Sequence, residues 1–281
     1  CVEGGTSSIV LPQNWLFLTS YKKFREKLLQ NDSWHLIARL GPQAFQTPMW
    51  DFNVQLISIS RGNDAQDSGG LFGDAEQTNL IRGVDVSEPR TAADKASKLV
   101  STEIEGVMQS KQMDNPESRV ILGLTSSGMF LKEIAKSHLG ICSGDYSRFG
   151  RVHWEIDSTN SDWAFQRSSF SKTAMYGGMT QAFFWQGGSG EFIEFLEQRL
   201  GEDQIGSWLR GADAWGKQGI VITSTGALPV SKYTGELFDN NVSVITTGTE
   251  LDLPAVWCYA SSGELHDDVR VFNQQLKITN V

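Results

Sequence analysis

Cysteine is scarce in this chain, and its three copies, Cys1, Cys142 and Cys258, lie far apart. An odd, scattered set excludes the disulfide framework of a small secreted domain and fits a reducing, cytoplasmic setting. Histidine is almost as sparse: His35, His138, His153 and His266 show no metal-ligand spacing, so no metal site is expected. No apolar run is long enough to span a bilayer. No basic segment followed by an apolar core marks a signal peptide. Positive charge is also short, 24 basic against 33 acidic residues and a net charge of −9. A dedicated nucleic-acid binder is usually basic, although a small basic track can sit on an acidic protein. Three familiar signatures are missing: the GxxxxGK[ST] phosphate loop, a complete GxGxxG after a strand, and the GxSxG elbow. The run Gly187-Gly188-Ser189-Gly190 precedes a helix, where an anion could sit. It reads more simply as a loop that ends in a cap.

What is present is enough for a packed α/β protein. Over 281 residues, 40% are hydrophobic and 10% aromatic, sufficient for one large domain or two ordinary ones. Residues 1–61 read as strand, helix, strand, strand. Thr6–Leu11 is a short apolar run, followed by the turn Pro12-Gln13-Asn14-Trp15. A helix over 20–30, capped by Thr19 or Ser20, places Tyr21, Phe24, Leu28 and Leu29 on one face. Trp34–Leu40 is a second strand, ended by Gly41-Pro42, and Phe52–Ser60 a third that returns antiparallel. Ligands of open α/β sheets sit where such turns leave the carboxyl ends of strands.

Residues 62–91, glycine-rich and polar, read as a loop or linker. Thr91 caps a helix whose apolar period runs from Ala93 through Val107 and Met108 to about Lys111, with Asp94 in its first turn. Asn115-Pro116 stops it. A further helix is expected over 128–139, with Gly140 just past its end. From there on tryptophans and glycines multiply. Strands are expected at 152–156, 219–223, 242–246 and 255–259, and helices at 191–200 and 263–276. The last helix would start from a capping box, Ser261 with Glu264, and carry the stripe Leu265, Val269, Phe272 and Leu276.

The ordered segments LPQNWLFLTSYKKFREKLL, ARLGPQAF and WDFNVQLISIS resemble the later motifs of adenine-specific N6 DNA methyltransferases. The resemblance is nearest to the large bacterial enzymes of bacteriophage exclusion and restriction–modification. Further along, GICSGDYSRFGRVHWE, AWGKQGIVI and SKYTGELFD are similar to segments of the same family, the first opening its target-recognition region. The resemblance covers most of the chain outside 62–91. It implies an α/β fold: the C-terminal part of a Rossmann-like methyltransferase sheet (1–61), a loop and helical connector (62–139) and an incomplete α+β target-recognition domain (140–281). It also implies an enzyme that moves a methyl group from S-adenosylmethionine to an adenine flipped out of duplex DNA.

In that family Phe45, in the AF position, would stack on the extruded base, and Pro12 and Asn14 would line the same pocket. Read without the family, Phe45 is a core residue beside a loop. Trp15 and Phe17 are read as packing residues. Arg148 and Arg151, beside Ser143, Gly144 and Asp145, have the fork that reaches phosphates or base edges. A solvated turn with a local Asp–Arg pair fits them equally. Lys217 is a weaker candidate of the same kind.

Nothing in the chain matches the family's glycine-rich cofactor motif or its Asn/Asp-Pro-Pro-Tyr/Phe loop; Asn115-Pro116-Glu117 lacks the second proline and the aromatic. Both motifs are expected to precede Cys1. The piece is then inactive alone, holds no catalytic residue, and leaves the edge of its first strand unpaired. The chain is also expected to continue beyond Val281. Charge works against recognition by 140–281, where ten basic residues face seventeen acidic ones, while 1–61 carry six against four. Binding there needs local basic side chains or positive surface from the missing parts of the protein. Expected partners are double-stranded DNA and other defence-system subunits. The rivals are a non-catalytic DNA-specificity or partner-binding module, and a tryptophan-rich carbohydrate-binding protein.

Overall fold

A computed structural model describes residues 2–46, 52–62, 79–123, 129–157, 159–273 and 277–278. The chain forms two units, 1–127 and 128–281.

The first unit is built on one five-stranded sheet. Its strands are β1 (Thr6–Pro12), β2 (Asp32–Gly41), β3 (Val54–Arg61), β4 (Leu80–Asp85) and β5 (Glu105–Met108), in the order β1-β3-β2-β4-β5. The three expected strands are neighbours. β3 runs antiparallel between β1 and β2, which are therefore parallel to each other without touching. β1 has one partner among the described residues, as expected of an edge. A turn over Gln13–Leu16 and helix α1 (Lys22–Asn31) connect β1 to β2. They cover one face of the sheet with a core of Trp15, Leu16, Leu29, Trp34, Ile37 and Ile57. Each such fully buried side chain contributes about 1.5–3 kcal/mol.

Several expectations are corrected. The 62–91 stretch is not all linker, since 80–85 form β4, parallel to β2; residues 63–78 lie outside the described ones. The helix expected to 111 is α2 (Ala92–Ser101), capped by Thr91 as foreseen, and 105–108 pair with β4 instead. The apolar period runs on because half-buried Val107 belongs to an inward face of the sheet rather than of the helix. The α2 stripe faces out, with Val100 90% exposed, while Lys95 points in. Thr19 caps no helix; its hydroxyl donates to the Glu117 carboxylate.

In the second unit, β6 (Ala135–Leu139), β10 (Gly219–Thr223), β11 (Val230–Tyr233) and β13 (Val242–Thr247) form one antiparallel sheet. Helices α5 (Leu253–Ser262) and α6 (Glu264–Phe272) pack on it through Val256, Ala260 and Leu265. β7 (Gly150–Val152), β8 (Trp163–Arg167), β9 (Gln181–Phe184) and β12 (Leu237–Phe238) form the other sheet, against α4 (Glu191–Leu200). α3 (Tyr146–Phe149) precedes β7.

Here 219–223, 242–247 and 191–200 are as expected. The 128–139 helix is a short turn followed by β6, and the 152–156 strand is β7 followed by a turn at 153–155. Residues 255–259 lie inside α5, not in a strand; its buried residues, Val256 and Ala260, are one helical turn apart. The capping box is absent, since α5 runs to Ser262 and Gly263 starts α6 without a side-chain cap. Gly128 and residues 274–276 lie outside the described residues.

One buried cation ties the first unit together. Arg25, fully buried on α1, donates to the carbonyls of Trp15 (2.6 Å), Leu18 (2.7 Å), Glu117 (2.8 Å) and Ser118 (3.2 Å). Desolvation pulls its guanidinium down to about 10, so it stays charged at neutral pH. Replacing Arg25 by Met leaves these carbonyls dry and unbonded, and is expected to cost roughly 3–5 kcal/mol. Urea unfolding of the chain measures this; an unchanged midpoint would contradict the role.

Candidate nucleic-acid interface

The residues assigned to a target base lie on one rim of the first sheet. The last residue of β1, Pro12, pairs with Val54, and so does Gly41, the last residue of β2. Strands lie ~4.8 Å apart, so the two turns leave the sheet about 10 Å from each other. The amide of Gln13 donates to Asn53 O (2.9 Å), and Asn14 O accepts from the amides of Phe17 and Leu18, which fixes the first turn. Pro12 is exposed, Asn14 half-buried, and Phe45 48% exposed. Phe45 is therefore not a sealed core residue, whereas Trp15 and Phe17 are buried as expected. Pro12 and Asn14 also line an open groove of about 630 Å³ with Ile9, Leu11, Trp15 and Phe24. Phe45 lies outside that groove. Residues 47–51 are outside the described ones.

The loop that carries Phe45 is fastened from below. Gly41 has φ +67°, and a Cβ there would lie 2.7 Å from that of Ser87, so only glycine fits. Lys95, 2% exposed, donates to Leu40 O (2.6 Å), Ser87 O (2.9 Å) and Val86 O (3.2 Å). Three donors meet three carbonyls at the ends of β2 and β4. Burial pushes the lysine pKa down, and carbonyl oxygens replace the lost water. Nearby, Arg39 approaches Asp85 at 3.5 Å. Sequence reading missed Lys95 because a lysine on a helix is ordinarily solvated, and the apolar stripe of α2, which faces out, pointed to the wrong face.

In the second unit the SGDxxRF segment is largely architectural. A Cβ on Gly144 would strike the Trp208 ring at 2.0 Å. Asp145 caps α3, accepting from the Arg148 amide (3.2 Å) and the Ser147 hydroxyl (2.7 Å), and these bonds lower its pKa. The Arg148 guanidinium does not pair with Asp145. It bonds Glu191 of α4 through Nε (2.9 Å) and Nη2, and lies 4.8 Å from the centre of the Phe149 ring. Ser143 is half-buried beside them.

Arg151 differs. Its Nη1 donates to Ser147 O (2.7 Å) and Gly150 O (2.6 Å), and its guanidinium lies 5.9 Å from the Trp163 ring centre. Lys217 is exposed on the turn before β10. Burial and then the charges of Lys217 and Lys136 lower the pKa of His138, against the pull of Asp213. The structure thus brings Ser143, Asp145, Arg148 and Arg151 together and leaves Lys217 on a separate turn. No group of His, Cys, Asp and Glu suited to a metal occurs among the described residues, and none of their helices is long and apolar enough to cross a membrane.

No protein-family model and no curated protein matches the sequence. Among solved structures, the chain is similar over 98% of its length to the type IIL restriction–modification enzyme MmeI in complex with DNA, at 10% identity and a TM-score of 0.53. It is also similar over 99% of its length to the DrdV–DNA complex, at 10% identity and a TM-score of 0.45. A type I restriction–modification assembly matches 46% of the chain at 17% identity, with a TM-score of 0.32. The chain spans 37%, 36% and 30% of those proteins, about a third of each. At these identities the likeness is one of fold: a mixed α/β arrangement similar to that of a restriction–modification enzyme.

Two outcomes test this geometry. Lys95→Met is expected to raise amide hydrogen exchange at 41–45 at least about tenfold while the centre of β3 keeps its protection, because local opening is confined to what the lysine fastens. Equal gains at both places would contradict a local clasp. Arg148→Gln is expected to lower stability by only about 0.5–1 kcal/mol, as for an exposed ion pair; a loss several times larger in thermal unfolding would contradict that.

Proposed function

We propose that this chain is part of a restriction–modification enzyme, and within it of a DNA methyltransferase that transfers a methyl group from S-adenosylmethionine to adenine N6 in duplex DNA, in phage defence or restriction–modification. The observation that carries the reading is the shared partner Val54: the Pro12 turn and the Gly41 loop leave the same rim, one strand apart. The antiparallel strand inserted between two parallel ones supports a Rossmann-like methyltransferase sheet, and so does the likeness to a DNA-bound enzyme of this class.

On this reading Phe45 offers its ring to an adenine rotated out of the stack, and Pro12 and Asn14 border it. An extruded base loses its stacking neighbours, and an aromatic face restores about 1–3 kcal/mol. The two described strand-to-helix connections of the first unit, 13–21 and 86–91, contain no glycine. Neither lets the backbone approach a cofactor as a glycine-rich turn does. On this reading the S-adenosylmethionine site lies mostly outside these residues, and their part in the reaction is to hold the target base. The second unit is the target-recognition region, with DNA as its partner.

The test uses the intact enzyme that contains this chain. It is expected to deposit N6-methyladenine at a fixed site, read by sequencing of host DNA. Phe45→Ala is expected to lower kcat/KM about 10- to 100-fold, and Phe45→Tyr to retain most activity, because the ring is what the base needs. Unaltered methylation by Phe45→Ala would remove the assigned role; no N6-methyladenine from the intact enzyme would overturn the reading.

A further inference from the structure

The outer face of the β7-β9-β8 sheet carries two exposed rings, Phe165 and the neighbouring Trp154, on the same side as a positioned arginine. Pairing aligns Arg151, Ala182 and Phe165 in one row, with Trp163 opposite Phe184 in the next. Side chains alternate along a strand, so the opposite face carries Phe183, buried against Phe149 and Phe192. On the outer face Ala182 is covered by its neighbours, while two rings stay exposed: Phe165 is 51% exposed and Trp154, just past β7, 68%. The His153 ring links them, with its centre 5.0 Å from that of Trp154 and 6.4 Å from that of Phe165.

Arg151 stands on the same side as these rings. Two carbonyls hold its Nη1, and no carboxylate lies within ion-pair distance among the described residues, which leaves its Nε and Nη2 donors for an acceptor. Arg148, three residues earlier, is taken by Glu191. Flat, exposed rings beside a held guanidinium match the two repeating parts of a nucleic-acid strand, a base face and a phosphate.

We propose that this face contacts DNA directly, with Trp154 and Phe165 stacking on unpaired bases and Arg151 holding an adjacent phosphate. The inference rests on the DNA-modifying reading above and assigns the contact to particular residues. The acidic balance of the unit is then no obstacle, because the contact is made by rings and one local cation rather than by a basic surface.

The test is fluorescence anisotropy of the 281-residue chain with labelled duplexes, one fully paired and one with a single-base bulge. The wild type is expected to favour the bulged duplex. Trp154→Ala and Phe165→Ala are each expected to weaken that binding about tenfold and to erase the preference, and Trp154→Phe to keep most of it. Arg151→Gln is expected to lower the slope of log K against log salt by about one. All these side chains are exposed, so unchanged circular dichroism melting confirms that the fold is kept. If the wild type binds DNA and every variant binds alike, this inference fails while the broader reading stands. If the variants alter only self-association in sedimentation, the face is a protein interface and the inference fails. If the wild-type chain binds no DNA at low salt, the inference and the assignment of DNA recognition to this chain both fail.

Discussion

Buried cations bonded to backbone carbonyls hold the functional surfaces in place. Arg25 gathers the carbonyls around the Gln13–Leu16 turn, and Lys95 those at the ends of β2 and β4. Arg167, fully buried in the second unit, donates to the carbonyls of Gly177 and Lys232 and approaches Glu236 at 3.4 Å. Turns expose polar backbone that a packed core cannot satisfy, and a guanidinium or ammonium supplies several donors from one side chain. The cost of burying each charge is offset only while all its bonds are made. Such a clasp holds the turns at the end of the sheet in one geometry, which the proposed base-binding role requires.

The two turns gain their meaning from the sheet order. A strand inserted antiparallel between two parallel ones brings the carboxyl ends of β1 and β2 to either side of a single residue, Val54. A direct β1–β2 pairing would have put the turns closer together, with no strand between them. In the second unit, charge and shape point apart. In the segment whose arginines were read either as reaching phosphates or base edges or as a solvated turn, Gly144 lies against Trp208, Asp145 caps α3 and Arg148 bonds Glu191 in an exposed pair. What remains outward is Arg151 and a set of rings.

Much of this was legible where local pattern and tertiary role agree. β1 announced itself as an apolar run before a turn, β2 by the Gly41-Pro42 that ends it, β3 by alternation, and α4 and β10 by their bounds. Reading failed where one pattern served two structures. Val107 and Met108 keep the helical period of α2 yet form a strand beside β4. The β-branched and aromatic run 255–259 lies inside a helix whose buried positions are four apart. β4 was hidden in a glycine-rich polar stretch, since its partners are distant in sequence. Of the site, Phe45 is 48% exposed, and the capture of Arg148 by Glu191, 43 residues away, could not be read from spacing. The Lys95 clasp is likewise a tertiary fact, set by three carbonyls on two other elements.

The central claim is that the ring of Phe45 faces the extruded base. Photocrosslinking tests it most directly: 5-iodouracil replaces the target adenine in a duplex carrying the methylated site, the intact enzyme is irradiated with it, and the adduct is located by mass spectrometry. The account predicts a crosslink within the peptide that contains Phe45. A crosslink confined to other peptides, with the loop at 41–46 unmodified, would contradict it.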